Sequence, residues 1–575
     1  MKGIDCIQEF LPTGYQLSET GVFSVGNRNN TPELVSGPCW ISETTKSRTQ
    51  KEWGRVISFI DYDGELQQIA VAESRVSNNS TNLPSELHDM GLHLIPNMQR
   101  HLLKYLASFQ LPIEFRRESV SKVGWLDCSD DEPPIYVTPE RTIGLTVERQ
   151  IIFQPEEHSQ TLQTMHTGGH LNQWKSAVAS KCEHHPNLVF ALSAAFSGPL
   201  LKLIGQDCGG FHFYGASSKG KTTLLQVAAS VWGSGADPAN SDVSYISRWN
   251  TTGNALEATA AAHNDGLLCL DEMGTCDQRD FGKVIYDLFG GRGKGRLNKN
   301  AILQRIRTWR LAALSTGEIS VEDKILEEGG KHRIGHQVRM IDVPIGEGVI
   351  SRSCEDPRNL VNDLKKQTAV YFGTAGPEFV DFLTQVRPCY RELRDEVHTL
   401  VDSLAQEITG SRNLESFQER VLKRMCIVAA AGLLAADFRI LPFERHTVLK
   451  SLSHVWDLWI RDGASRPPLV TSLLNLKEFV LANQSRFINV SEDLTTVRDL
   501  VGYTKSESGL RLFLMTDKAF KEAVRGQDVN SVAHELKKRG LLFQNDTNRL
   551  KSRHQVGGTR PYFYAIRDSL LEFEG

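Results

Sequence analysis

Polar and apolar positions change their period several times along the 575-residue chain. Residues 1–40 are rich in Gly, Asn and Thr and predict only partial order. From Ile57 to Glu73 (ISFIDYDGELQQIAVAE) apolar residues alternate around Asp63-Gly64, the signature of a hairpin. Leu87 to Ala107 follows a helical period, and Ser119 to Phe153 returns to strand-like runs divided by Pro and Gly. These predict an α+β unit over 1–160. From 161 to 394 short apolar runs alternate with helical segments. Strands are predicted at Gly210–Tyr214, Val243–Ser247, Leu267–Leu270, Arg310–Leu314 and Val338–Val343. That alternation predicts an α/β layer with a parallel sheet covered on both faces. Leu188 to Ile204 reads as a core helix beneath it. Residues 395–466 are helical and Ala-rich (IVAAAGLLAADF), and Pro467-Pro468 marks a linker. Residues 467–575 predict a helix-rich unit ending in two strands.

Composition narrows this picture only a little. The formal net charge is −4, with 40% hydrophobic and 23% charged residues, so the chain is not a generally basic nucleic-acid coat. Any contact with DNA must come from a local patch. Ten cysteines without a CxxC pair predict reduced thiols, not a disulfide framework or a zinc ribbon. Cys182, His184 and His185 lie close together without a second ligand pair, and read as structural or surface residues. MKGIDCIQEFLPTG lacks the pattern of a signal peptide. The apolar run 188–204 is too short and interrupted to span a bilayer. The expectation is a cytoplasmic protein without a membrane partner.

Candidate chemistry is concentrated in FHFYGASSKGKTTLLQVAASVWG, residues 211–233. An apolar strand, a loop GASSKGKT and a helix follow one another. Gly215, Ala216, Ser217, Ser218, Lys219, Gly220, Lys221, Thr222 and Thr223 carry G-x-x-x-x-G-K-[ST] spacing, which cradles phosphates with backbone N–H groups at a helix N-terminus. Lys221 would reach the β- and γ-phosphates of ATP, and Thr222 would hold Mg²⁺. About 50 residues on, GLLCLDE ends an apolar strand in Asp271 and Glu272. Asp271 would hold Mg²⁺ through water, and Glu272 would polarise the attacking water. Two such carboxylates favour hydrolysis over transfer to a small-molecule acceptor. WRLAALSTGE (309–318) ends in hydroxyls, so Ser315 or Thr316 would contact the γ-phosphate or the water. Arg339, entering the last strand, would reach a neighbouring subunit's nucleotide.

The segment GGRGKGRLNKNAILQRIRTWR, residues 290–310, has seven cations and no carboxylate. Leu297 and Ile302 flank a tip at Asn298-Lys299-Asn300. Such a run is commonly a solvated face. A hairpin here would instead carry Lys294, Arg296 and Lys299 along DNA phosphates without reading bases.

Taken together, GGFHFYGASSKGKTTLLQVAASVWG, RWNTTGNALEATAAAHNDGLLCLDE, GGRGKGR, TWRLAALSTGEIS and GHQVRMIDVP resemble the AAA+ replicative helicases of staphylococcal cassette chromosomes, prophages and phage satellites. That bacterial family is similar to the mini-chromosome-maintenance (MCM) helicases. The resemblance spans roughly residues 50–465, reaching VGWLDCSDDEPPIYVTPERTIG upstream and RVLKRMCIVAAAGLLAADF downstream. It implies a P-loop AAA+ core, a helical lid over 395–466 and a homo-oligomeric ring, a hexamer, that moves on single-stranded or forked DNA with ATP and Mg²⁺. It implies a pre-sensor hairpin at 292–304 with Lys299 at its tip. Arg339 corresponds to the arginine finger and Arg420, or else Arg424, to a second sensor. The primase-type and zinc-binding additions of the family are missing, which implies a separate primase or single-strand-binding protein. The C-terminal unit fits a winged helix for DNA or for protein, with Val529–Arg539 as a helix and Arg549 to Ile566 as the wing. The rival reading is a non-translocating AAA+ switch or loader acting on a protein partner.

Overall fold

The computed structural model describes residues 5–25, 32–48, 52–78, 81–144, 151–155, 160–240, 243–297, 305–385, 387–409, 414–461, 467–491, 499–507, 509–524, 527–546 and 549–574. The alternating run that predicts a hairpin forms one. β1 (Cys39–Ser47), β2 (Trp53–Ile60) and β3 (Leu66–Ala72) are antiparallel neighbours, with Ile57 set between Ile41 and Ile69. One face is apolar and takes α1 (Gln99–Ala107), whose Leu102, Leu103 and Leu106 join Ile41, Ile57 and Phe59 in one cluster. The helical period over Leu87–Ala107 proves to be two helices, Leu83–Asp89 and Gln99–Ala107, parted where Gly91 takes φ 99° ahead of Pro96. β4 (Arg116–Val120) and β5 (Ile151–Phe153) extend the sheet to the order β5-β4-β1-β2-β3.

The centre of the molecule is a parallel sheet between helices. α2 (Pro186–Ala195) precedes β6 (Gly209–Tyr214), α3 (Lys221–Ala229), β7 (Ser247–Arg248), α4 (Gly253–Ala262), β8 (Leu267–Asp271), α5 (Phe281–Phe289), β9 (Ala312–Gly317), α6 (Val321–Glu327), β10 (Met340–Pro344) and α7 (Pro357–Thr368). The strand order is β7-β8-β9-β6-β10, every pair parallel. The runs are continuous and apolar because both faces are covered. Leu267 and Cys269 enter the cluster of α2 and α3, while Leu268 and Leu270 enter that of Trp249, Phe281 and Ile285. The apolar run 188–204 makes α2 and a second short helix, Gly198–Leu203. The break is at Gly198, where a Cβ would stand 2.2 Å from the Gly266 carbonyl oxygen.

The segment 123–136 fastens the N-terminal sheet to this core. Trp125 and Tyr136 are buried in the α2–α3 cluster, and Trp125 Nε1 donates to Pro199 O at 2.7 Å. Asn264 Nδ2 donates to Val123 O, and Trp125 N to Asp265 Oδ2 at 3.1 Å. Burial pushes the Asp265 carboxyl up to about 6, against the pull of Lys202, Lys122 and Arg310. Its folded pKa exceeds its unfolded one, so the folded state holds the extra proton between about pH 4 and 6. The associated stability, about 3 kcal/mol, is full below about pH 4 and is lost as pH rises through 6. Denaturant titrations from pH 4 to 7 are expected to show Asp265→Asn without that decline.

Two long helices, α9 (Ser416–Asp437) and α10 (Arg445–Arg461), follow α8 (Tyr390–Thr409) and pack on α2. The last unit is richer in strands than its sequence predicts. α11 (Pro468–Ala482), α12 (Asp517–Ala523) and α13 (Val529–Lys538) cover one face of a sheet of β11 (Phe487–Asn489), β12 (Gly502–Glu507), β13 (Leu510–Met515), β14 (Leu542–Phe543), β15 (Ser552–Arg553) and β16 (Tyr562–Arg567). Among the described residues no helix is long and apolar enough to cross a membrane.

Candidate functional site

β6 lies between β9 and β10, where the order of connection reverses, and its carboxyl end is the place where such sheets bind ligands. The loop 215–220 leaves the sheet there and turns into α3. Gly215 takes φ 148°, and a Cβ on it would meet Ile345 O at 2.7 Å. Gly220, at φ 84°, caps α3 in a left-handed conformation that only glycine adopts without strain. The loop lines a cavity of about 1130 Å³. Lys221 Nζ donates to Gly215 O and Ala216 O, both at 2.7 Å. Burial lowers its pKa from the ordinary lysine range, and Glu318 and Asp271 resist the shift.

Asp271 ends β8, 5% exposed, and gathers three donors. Thr222 Oγ1 donates to its Oδ2 at 3.3 Å, Glu272 N to its Oδ1 at 3.0 Å, and Thr316 Oγ1 to the same Oδ1. A hydroxyl and a carboxylate facing each other are hard oxygen donors of the kind Mg²⁺ takes beside phosphate. Glu272 has φ 58° and ψ 59°, an uncommon conformation for this residue type. The turn ends the strand and carries its carboxylate into the cavity wall, about half exposed and 4.0 Å from Arg248. Ser217 bonds Glu318, so a second acid stands at the loop.

The two hydroxyls ending β9 part company. Thr316 reaches Asp271. Ser315 is fully buried and does not face the cavity, which removes it from the expected set. Its Oγ accepts from Trp249 Nε1 at 2.8 Å and donates to His212 Nδ1 at 2.9 Å. His212 Nε2 donates to Ile319 O at 2.9 Å, which fixes the neutral tautomer, and burial lowers its pKa to about 4. Ser315→Ala strands two buried partners. It is expected to cost about 2–4 kcal/mol, read from the urea midpoint.

Arg339 and Arg420 stand apart from the cavity. Both lie near Arg424, at the opposite end of the strands. β6 has six residues and separates its two ends by about 17 Å. Arg339 rests over the Tyr286 ring at 4.7 Å and donates to Gly335 O. Arg424, the alternative second sensor, is a buried clasp: it donates to Val338 O, Asp207 O and Cys208 O. Neither Arg420 nor Arg424 lines that cavity in its own chain. The far wall of that cavity holds cations that sequence reading missed: Arg352, Arg358 and Lys365. They follow the last strand in a Gly- and Ser-rich loop and on α7, without a motif to mark them.

The basic segment folds back on itself at its base: Gly293 N donates to Arg307 O and Trp309 N to Gly291 O. Two of its expected DNA contacts are paired within the chain. Lys294 meets Asp287 at 3.0 Å, and Arg296 meets Glu257 at 2.7 Å. Lys299 lies outside the described residues.

Comparison with known proteins adds three findings. A family model described as a domain of unknown function (DUF927) matches residues 15–308. None of the curated proteins matches the chain. Among solved structures, one described as "SCCmec type IV Cch - active helicase" is similar in fold. It has a TM-score of 0.68 and 19% identity, over 97% of this chain and 99% of that one.

Proposed function

The chain belongs to the family described as a domain of unknown function (DUF927), and on that footing we propose that it is an ATP-dependent DNA helicase, an MCM-like AAA+ enzyme working as a hexameric ring on single-stranded DNA in the replication of a mobile genetic element or prophage. The reading is carried by the convergence of Lys221, Thr222, Asp271 and Glu272 on one cavity, with Thr316 bonded to Asp271 from behind its wall. Backbone N–H groups of 216–222 and the N-terminus of α3 hold the phosphates of ATP. Lys221 turns from its loop carbonyls to the β- and γ-phosphates. Thr222 and Asp271 would hold Mg²⁺, which when bound neutralises charge developing on the phosphoryl oxygens. Glu272 polarises the attacking water, and Thr316 fixes the orientation of Asp271. In this proposal the chain comprises an N-terminal unit to 160, an AAA+ core to 394, a helical lid to 466 and a winged-helix unit to 575. The fold likeness over 97% of the chain to a protein described as an active helicase supports the helicase reading.

A non-translocating switch is the second reading, and one observation favours it. Lys294 and Arg296 are held by Asp287 and Glu257, so two of the cations expected to meet DNA are already paired within the chain. Strand displacement on forks with 3′ or 5′ tails separates the two. ATP-dependent displacement from one tail polarity is expected, and its loss in Lys221→Ala. Displacement from neither fork by an ATPase-active protein sinks the helicase reading.

A further inference from the structure

Trp53 opens β2 and is 42% exposed, an unusual position for so large an apolar side chain. Two cations from other strands of the sheet attend its ring. Lys46 of β1, its cross-strand partner, places Nζ 5.2 Å from the ring centroid. Arg116, the first residue of β4, places its guanidinium carbon at 4.7 Å. Neither cation has a carboxylate partner among the described residues. Other arginines of the same sheet region do: Arg117 with Glu43, Arg55 with Glu73, and Arg48 with Glu132 at 3.5 Å. The chain thus neutralises the surrounding cations and leaves these two beside an open aromatic face.

The place of this cluster matters. β4 runs from Arg116 to Val120, and the next two residues touch the base of the basic segment. Arg305 Nη1 donates to Ser121 Oγ, and Lys122 Nζ to Thr308 Oγ1, both at 3.3 Å. Five residues of extended chain, about 17 Å, therefore link the cluster to that segment.

We propose that Trp53, Lys46 and Arg116 form a second contact for single-stranded DNA, on the N-terminal sheet. The indole stacks on an unpaired base, and the two cations take the flanking phosphates. Stacking of this kind is sequence-tolerant because every base has a π-face. An acidic peptide would use the cations and leave the ring idle. A duplex would hide the base faces. The proposal rests on the helicase reading and deepens it.

The test is binding of a fluorescent oligothymidylate to the full chain across a salt series. Trp53→Ala is expected to weaken binding about 5- to 150-fold, and Trp53→Phe to restore most of it. Lys46→Gln with Arg116→Gln is expected to flatten the slope of log affinity against log salt by about 1.4. These two positions are exposed, so the double variant decides the matter if Trp53→Ala does not fold. Unchanged affinity and slope in the double variant, with wild type binding the oligonucleotide, overturns the proposal and leaves the helicase reading standing. No oligothymidylate binding by wild type overturns both. Competition by polyglutamate as effective as by unlabelled oligothymidylate marks a general polyanion site and overturns the single-strand assignment.

Discussion

Glu272→Gln is expected to bind ATP with affinity close to wild type and to turn it over about 10²–10⁴-fold more slowly. The size is that of a lost general base. The substitution leaves the groups proposed to hold nucleotide untouched: Lys221, Thr222 and Asp271 keep their partners, and the Glu272 backbone N–H still serves Asp271. The uncommon backbone conformation of Glu272 is kept too, because Gln has the same shape. Nucleotide affinity by fluorescence and turnover by phosphate release test this together. Equal turnover in variant and wild type would take Glu272 out of the reaction and leave Glu318 as the carboxylate to examine.

Arg339→Ala is expected to lower turnover about 10³-fold, the lower end for an arginine supplied to a transferring phosphoryl group. Its own chain's cavity is at the other end of the strands, so the effect would arise across a contact between copies. Mixing Arg339→Ala with Lys221→Ala protein should then recover part of the ATPase. Some contacts in mixed rings pair an intact loop with an intact finger, whereas neither variant alone has such a pair. Mixed rings, verified by differential tags, without recovery would argue against action in trans. An Arg339 that acts only by gripping Gly335 O and Tyr286 would show its loss in unfolding temperature instead.

The strand–loop–helix turn at 215–220 was legible because its determinants are local: two glycines, a lysine and a hydroxyl at fixed spacing, between a strand and a helix. The central strands were legible because burial on both faces leaves an uninterrupted apolar run. Their ends were less so. Val243–Ser247 reads as a strand, yet only Ser247 and Arg248 pair with β8. The residues before them spend their hydrogen bonds elsewhere: Tyr245 N on Ser234 O, and Ser244 Oγ on Ala236 O. Ser315 and Thr316 could not be told apart without the phase of β9, since neighbours on a strand face opposite sides. The charge of the basic segment was read correctly as composition but not as availability. Glu257, which holds Arg296, is 39 residues away in sequence and is invisible to any local count of charge. Trp53 gave no signal at all, because its two cations come from other strands.

The chain Trp249–Ser315–His212–Ile319 also bears on how this protein can vary. Each side chain in it donates to the next, and the last donates to a backbone oxygen. Any single replacement leaves at least one buried donor or acceptor without a partner, whereas replacing all three side chains by apolar groups of like volume leaves only the half-buried Ile319 O to be met by water. A stepwise route between those two states passes through destabilised intermediates. Related sequences are therefore expected to keep all three residues or to have exchanged them as a set, and a library randomised at 212, 249 and 315 together should yield folded variants that one-at-a-time mutagenesis misses.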